Sequence, residues 1–352
     1  MPRWRAWRSS SDVTLTARWL DHPPAAWATL LRSDPSATAM HRAELARVFA
    51  EVLPGYSAQW IAVEREGELV GGAPAMIERR AGLHWIHAMP FALSGAPLAE
   101  SGLHAAVDAA VSAAIEQRAR ELRAIGGEWV VYRPGGPAIA GDALERIPGE
   151  TRATATLVID LSAGTDAAFR AVSRKTRNEI RAAHGRPITC AEDPEALEEA
   201  YALYAAQARR WPGHRPRPLE LLRRLLQGDP PAARLVTARD GRGLLTAALV
   251  LIGNREWMWW WSGTHPEARA SRAVARLMWW SAERAFAAGC TRLNLGASAG
   301  QTSVESFKLR LGGRELPVTT RWIAPTHAGL VGRAIGALQM RLRARRSRGE
   351  SA

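Results

Sequence analysis

Lysine is nearly absent from this chain. Of its 47 basic residues two are lysines, Lys175 and Lys308, and the rest are arginines. At a solvated surface either residue serves. Arginine fails where a compact, strongly hydrated point charge on a flexible stem is required, because the guanidinium is wide, planar and always protonated. So skewed a composition acts as a filter and marks the two lysines it leaves. Cysteine is scarce as well: Cys190 and Cys290 stand far apart with no ligand-like neighbours, which points to buried thiols in a reducing compartment rather than a disulfide framework or a zinc site. The chain lacks a P-loop, a dinucleotide glycine fingerprint and zinc-ligand spacing. It has no run of about 20 apolar residues of the kind that spans a bilayer. The basic start, Met1 to Arg8, is followed by polar residues where a signal peptide would be apolar. The expected location is the cytoplasm.

A length of 352 residues suits two domains of roughly 150 residues each, and 47% hydrophobic residues with 15 tryptophans describe a folded protein. The net charge of +13 fits an anionic partner such as RNA, a nucleotide-linked substrate or an anionic membrane surface. Two stretches concentrate it. Segment 173–186 carries Arg174, Lys175, Arg177, Arg181 and Arg186 against Glu179, and the tail carries Arg341, Arg343, Arg345, Arg346 and Arg348 with no acid among them.

The patterning predicts strands over 60–65 and 68–77 around a Glu66-Gly67 turn, a third over 83–88, and a helix capped by Ser101 and stopped by Gly126-Gly127. Between them lies Met89–Leu98, a Pro/Gly-rich loop that is unusually apolar. After a strand over 128–133, the stretch 134–149 leads to the expected domain junction. The second half predicts a strand over 154–161, helices through about 183, a helix over 194–210 and a shorter one over 218–226. Strands follow over 233–239, 244–252 and 256–262. A long helix over 271–288, a strand over 292–296, a helix over 304–311 and a last strand over 315–323 complete it. Neither half alternates strand and helix regularly, so the fold class is α+β. The domains are expected at 1–150 and 151–326, with 327–352 a basic amphipathic helix that could tether the protein to anionic lipid.

On a helix, Arg174, Arg177 and Arg181 share a face, with Lys175 and Asn178 beside it and Val172, Thr176, Ile180 and Ala183 opposite. A clustered cationic face of this kind suits phosphate oxygens. It is equally the ordinary appearance of a solvated basic surface. The stretch Leu293–Gly313 is more specific. A strand ends in the small-residue loop Leu295–Gly300, and the following helix carries Lys308 and Arg310 as an exposed pair. A lysine above a glycine-rich loop can hold a carbonyl oxygen as negative charge develops on it. The tryptophans Trp257, Trp259, Trp260, Trp261, Trp279 and Trp280 read as core, with strand alternation putting Trp257, Trp259 and Trp261 on one face. No acid–base pair emerges. Transfer of an activated acyl group to an amine can dispense with one, needing mostly positioning and oxyanion stabilisation.

Several blocks together resemble a known family. Ser173-Arg-Lys-Thr-Arg-Asn-Glu-Ile-Arg-Ala-Ala-His-Gly185 resembles the signature of FemAB-like proteins of the GNAT acyltransferase superfamily. So, in the same order, do Gly263–Glu267, Leu277–Trp280, Ala287–Gly289, Asn294–Gly296 and Ser306–Gly313, with Leu69–Gly72 and Met89–Leu98 similar to the N-terminal blocks. The resemblance covers about residues 55–325. It implies two tandem GNAT-like domains and transfer of an acyl or aminoacyl group to an amine, typically on a cell-envelope glycan or peptidoglycan-type precursor that is anionic or lipid-linked. It implies Lys308 as the catalytic residue near the reacting carbonyl and matches Arg177 and Asn178 to the family's Arg-Asn pair; with Lys175, Arg181, Gly296 and Phe307 these two are the expected substrate-binding residues. No metal and no tightly bound cofactor are expected. The donor is aminoacyl-tRNA or acyl-CoA; the stretch Ala268–Ala275 lacks the glycine of a pyrophosphate-cradling loop, leaving Arg269 and Arg272 as the phosphate contacts. The alternatives are an acyl-CoA-dependent N-acetyltransferase of polysaccharide biosynthesis and a non-catalytic, anion-binding GNAT pair.

Overall fold

The computed structural model describes residues 15–325 apart from 140, 211–214 and 299, and the side chain of Arg269 is also outside that description. The expected basic helix over 327–352 lies outside the described residues. Two compact units emerge. The first runs to Thr154 and resumes at Pro317, and the second holds Ala155–Leu316, so the chain changes unit inside its last strand.

The first unit contains β1 (Thr16–Leu20), α1 (Trp27–Ser33), α2 (Ala43–Val52), β2 (Tyr56–Arg65), β3 (Glu68–Arg80), β4 (Leu83–His87), β5 (Leu98–Ala99), α3 (His104–Glu121), β6 (Gly126–Val131) and α4 (Gly141–Glu145). Its strands follow the order β1-β2-β3-β4-β6, with β5 on β3 and residues 319–322 of the last strand beside β6. All pairs are antiparallel except β4 with β6. Helix α3 lays Val107, Val111 and Ile115 against Ile61, Val63, Ile77 and Trp129. Burying such side chains is the main stabilising term, about 1.5–3 kcal/mol each.

Two boundaries differ from the sequence expectation here. Helix α3 starts after Leu103 rather than at Ser101, because Ser101-Gly102 form a turn closed by Leu103 N–H on the Glu100 carbonyl at 3.0 Å. It also ends at Glu121, and Gly126-Gly127 open β6 instead of stopping the helix. A Cβ on Gly127 would stand 1.8 Å from the Ile86 carbonyl oxygen, so the glycine is there for close strand approach. Helices α1 and α2 and strand β1 were not expected.

The second unit contains β7 (Gly149–Asp160, from Ala155 on), α5 (Thr165–Ala171), α6 (Arg174–His184), β8 (Thr189–Glu192), α7 (Leu197–Ala208), α8 (Leu219–Gln227), β9 (Ala233–Asp240), β10 (Gly243–Ile252), β11 (Glu256–Thr264), α9 (Ala268–Ser271), α10 (Ala273–Ala287), β12 (Arg292–Asn294), α11 (Thr302–Arg310) and the start of β13 (Arg314–Ile323). The strand order is β7-β12-β11-β10-β9-β8, with β11 and β12 parallel and the other pairs antiparallel. Leu277, Met278 and Ala282 of α10 pack with Ala168, Val172 and Ile180 against Val250, Trp257 and Trp259.

Two further expectations are corrected. The helix expected over 271–288 begins at Ala273, and the short α9 precedes it, the two separated by Arg272, which sits in the left-handed region at φ 63°. Strand β11 is bulged at Trp260: Trp259 pairs with Val250 and Trp261 with Leu249. The extra residue puts Trp261 on the opposite face from Trp259, where it stacks on Tyr204 at 4.7 Å. The tryptophans are packing groups, with Trp257, Trp259, Trp261 and Trp279 buried.

Candidate active site

Strands β11 and β12 pair over three residues only, Glu256–Met258 with Arg292–Asn294. Beyond Met258, β11 continues to Thr264 against β10 alone, while the other chain leaves β12 through Leu295 and Gly296. The parallel pair therefore splits, leaving that side of β11 beyond Met258 without a strand partner among the described residues, the kind of edge to which an extended ligand hydrogen-bonds. Gly296 makes the departure. Its φ of 75° is a left-handed conformation that strains other residues, and a Cβ there would reach 3.5 Å from the Trp259 carbonyl oxygen.

Lys308 stands at this point. The sequence made it half of an exposed pair with Arg310; the structure exposes Arg310 and leaves Lys308 6% accessible. Its ammonium donates to the carbonyl oxygens of Gly296 at 3.0 Å and Ala297 at 2.9 Å. An ammonium has three N–H donors, so one is left for a third acceptor. Burial is the sole cause that pulls its pKa from 10.5 down to about 8; no carboxylate among the described residues pairs with it. A buried cation without an anion favours whatever negative charge can reach it. Helix α11 holds the lysine in register through Gly313 N–H on the Lys308 carbonyl at 3.1 Å.

The loop under Lys308 is fixed by side chains to which the sequence reading gave no role, although Asn294 opens one of the blocks that carry the resemblance. Asn294 Oδ1 accepts from Thr156 Oγ1 at 2.7 Å and from Gly296 N–H at 2.8 Å. Its Nδ2 donates to Glu256 Oε1 at 3.3 Å, and the other Glu256 oxygen lies 3.4 Å from Arg292 Nε. All of Thr156, Glu256 and Asn294 are buried. The available signal was compositional: asparagine is depleted in strands, and here it interrupts an apolar one.

The remaining predicted residues distribute around this centre. Phe307, half-buried, packs on the unit's core. Helix α6 begins at Ser173, whose Oγ accepts from Thr176 N–H at 3.3 Å, and Ser173 N–H meets the Arg310 carbonyl at 2.9 Å. This ties the start of the cationic helix to the end of the lysine helix. Thr176, Ile180 and Ala183 face inward as expected, leaving Lys175, Asn178 and Arg181 exposed. Arg177 is engaged: its guanidinium donates to the Arg170 carbonyl at 2.8 Å and the Val172 carbonyl at 2.5 Å, closing the C-terminal end of α5. Arg181 lies over the Phe169 ring. Farther along, Arg186 donates to the Ala270 carbonyl at 3.1 Å and Arg276 to His184 Nε2 at 2.6 Å, joining the end of α6 to the α9–α10 break. Burial, then the Arg276 charge, lowers the His184 pKa. Arg272 is exposed at that break. The N–H groups of Ser271, Arg272 and Ala273 are all used within it, on Glu267 O, Ala268 O and Ser271 Oγ, so the break offers no phosphate cradle at these three amides.

A half-open hollow of about 300 Å³ between α7, the β9–β10 turn and His265 contains none of these residues. Its acids are paired with arginines, Glu267 and Asp240 with Arg242 and Glu199 with Arg239. Among the described residues no group of three or more His, Cys, Asp or Glu is placed to hold a metal ion, and no helix is long and apolar enough to cross a membrane.

The profile of the acetyltransferase (GNAT) domain family matches residues 167–308, a span that closes on Lys308 itself. Among solved structures the chain is similar to FemX, at 13% identity over 86% of this chain and 96% of that one, with a TM-score of 0.67. It is similar to a conserved protein of unknown function from Bacteroides thetaiotaomicron, at 12% identity, 87% and 99% coverage and a TM-score of 0.54. A third similar structure is the C-terminal domain of a putative lysylphosphatidylglycerol synthetase from Agrobacterium fabrum, at 12% identity, 84% and 89% coverage and a TM-score of 0.51. At these identities the likeness is one of fold. No curated protein matches the sequence. The chain thus has the fold of FemX, and residues 167–308 of its second unit match the acetyltransferase (GNAT) domain.

Proposed function

We propose that the protein transfers an acyl or aminoacyl group to an amine of a cell-envelope glycan or peptidoglycan-type precursor, with Lys308 holding the oxygen of the reacting carbonyl. The observation that supports this is the buried Lys308 ammonium, fixed by two carbonyls, paired with no carboxylate among the described residues and left with one N–H. As the acceptor nitrogen attacks the acyl carbon, the carbonyl π electrons move to oxygen, and the remaining N–H of Lys308 stabilises that charge. Collapse of the adduct returns the electrons and breaks the bond to the donor, whose leaving atom takes up the acceptor's proton. The split between β11 and β12 offers backbone groups to align an extended donor arm.

The envelope acceptor rests on the resemblance to FemAB-like proteins. The same resemblance favours aminoacyl-tRNA as donor, and the absence of a phosphate cradle at Ser271–Ala273 agrees with it. Acyl-CoA is the second reading, favoured by the match to an acetyltransferase domain, with Arg269 and Arg272 as its phosphate contacts. Lys175, Asn178 and Arg181 form the exposed surface for an anionic substrate.

The purified protein is incubated with acetyl-CoA and, separately, with charged tRNA, and melting shift and transfer to an amino-sugar acceptor are followed. One donor is expected to stabilise and to turn over. With that donor, Lys308→Met lowers kcat about 10²–10³-fold, the usual effect of removing one oxyanion donor. Unchanged kcat in both Lys308→Met and Lys308→Arg overturns the role; stabilisation by CoA alone overturns the tRNA donor.

A further inference from the structure

A buried polar chain leads away from Lys308, and the transfer step itself leaves it without a task. It runs from Arg292 through the Glu256 carboxylate to the Asn294 amide, and from the Asn294 carbonyl oxygen to Thr156 and to the Gly296 N–H. Gly296 then presents its own carbonyl to the lysine. Every polar atom of the Asn294 side chain is directed. The oxygen takes two donors and the nitrogen gives to a carboxylate that is itself 1% exposed. Such a network is a costly thing to bury unless each member is satisfied.

Its geometry has one consequence for the site. The bond from Gly296 N–H to Asn294 Oδ1 spans two residues and forms an Asx turn, which fixes the peptide planes that follow it. Those planes carry the Gly296 and Ala297 carbonyls, the two acceptors that orient the ammonium. An ammonium on a four-carbon stem rotates freely, so the direction of its third N–H is set by where its first two acceptors point.

We propose that Asn294 is a positioning residue for transfer: by locking the Gly296 peptide it aims two carbonyls at Lys308 and thereby fixes the line along which the remaining N–H meets the substrate oxygen. This rests on the reading of Lys308 as the group that holds that oxygen. Glu256 supports the turn from behind, keeping the Asn294 amide from flipping, because a carboxylate accepts from Nδ2 and repels Oδ1.

The test uses the full chain and exploits its composition. With Lys175 and Lys308 the only lysines, protein grown with isotopically labelled lysine gives two side-chain nitrogen signals, and exposed Lys175 serves as the internal reference. Asn294→Ala is expected to raise the Lys308 titration midpoint from about 8 toward 10.5 as the loop loosens and water enters. With a donor that turns over, the same variant lowers kcat about tenfold or more while KM stays within about twofold. The paired change Asn294→Asp with Glu256→Gln exchanges the two groups' roles: the new carboxylate accepts from Thr156 and Gly296, and the new amide donates to it. This pair is expected to recover most of kcat, whereas Glu256→Gln alone, which lets the Asn294 amide flip and turn its nitrogen toward Gly296, loses several-fold. Should Asn294→Ala fold poorly, the paired variant and Thr156→Val carry the same comparison. An Asn294→Ala protein with an unmoved Lys308 midpoint overturns the proposal, as does a well-folded pair that recovers nothing. Because the midpoint is read without turnover, the positioning of Lys308 stands or falls separately from its role. If Lys308→Met leaves kcat intact while Asn294→Ala moves the midpoint, the transfer reading fails and the geometric link holds.

Discussion

In the first unit the buried guanidinium of Arg133 faces the Asp108 carboxylate with a second bond at 2.9 Å, while in the second unit the buried ammonium of Lys308 faces two carbonyls. Both cations are taken out of water, and only the first has its countercharge. Around Arg133 the compensation continues. Its guanidinium also donates to the Pro97 carbonyl at 2.9 Å, and nearby Asp34 accepts from Ser36 and from Ala99 N–H. Burial pushes the Asp34 pKa up, yet those hydrogen bonds outweigh it and hold the carboxylate below its ordinary value. The result pins the apolar loop before β5 and asks for no ligand. Around Lys308 the missing anion is the feature that binding and chemistry can use. Buried charge by itself separates nothing; the state of its compensation does.

Removing one member of the balanced pair is the largest expected perturbation. Asp108→Ala leaves Arg133 buried without its anion and is expected to cost about 3–5 kcal/mol, measured by urea unfolding. A loss under about 1 kcal/mol would mean that the first unit tolerates an unpaired cation as readily as the second. The complementary experiment reads what the second unit loses by burying Lys308. Below pH 8 both folded and unfolded chains hold its proton; between 8 and 10.5 only the unfolded chain does, so stability contributed by this residue rises with pH across that window. The full rise is about 3 kcal/mol and is absent in Lys308→Met. Burial raises the thiols of Cys190 to about 11 and Cys290 to about 12, which weakens the fold above the ordinary thiol value. Both proteins share that loss, so the difference between their unfolding curves from pH 7 to 10.5 isolates the lysine; a flat difference contradicts its desolvation. The smallest effect belongs to the backbone. Gly296→Ala keeps ordinary contact with the Trp259 carbonyl but forces alanine to φ 75°, a cost of about 1–2 kcal/mol in melting experiments. No change would show that the turn relaxes out of the left-handed region.

How much of this could be read from the chain differs between fold and site. Alternation and turn residues place β2, β3, β9, β10 and β11 to within a few residues, and α6 turns Thr176, Ile180 and Ala183 inward as its spacing requires. Helix α2 escaped although Leu45, Ala46, Val48 and Phe49 form a legible apolar stripe, and α1, at seven residues, is too short for its period to show. The break at Arg272 escaped for a local reason with a non-local appearance: Ser271 Oγ bonds both the Ala268 carbonyl and Ala273 N–H, so a serine competes with the helix it sits in. At the site, composition, the small-residue loop and the family resemblance all drew attention to Lys308, and helix spacing then misjudged its exposure. Spacing tells which residues share a face but not what loop will cover that face. Arg177 shows the reverse case, a residue of the cationic run whose guanidinium is spent on the carbonyls of α5.

The sequence by itself determined the class and order of most of the elements, the cationic run on α6 and the rarity of lysine, because propensity, periodicity and composition are properties of neighbours along the chain. Only the tertiary structure decided that residues 317–323 rejoin the first unit, that a bulge turns Trp261 away from Trp259, and that Lys308 is buried without an anion. Thr156 and Asn294 are 138 positions apart and meet at 2.7 Å, and that contact helps to fix the loop beneath the lysine. Desolvation and hydrogen-bond direction are set by such distant partners, which is why the chain could name the residue and only the fold could give it a use.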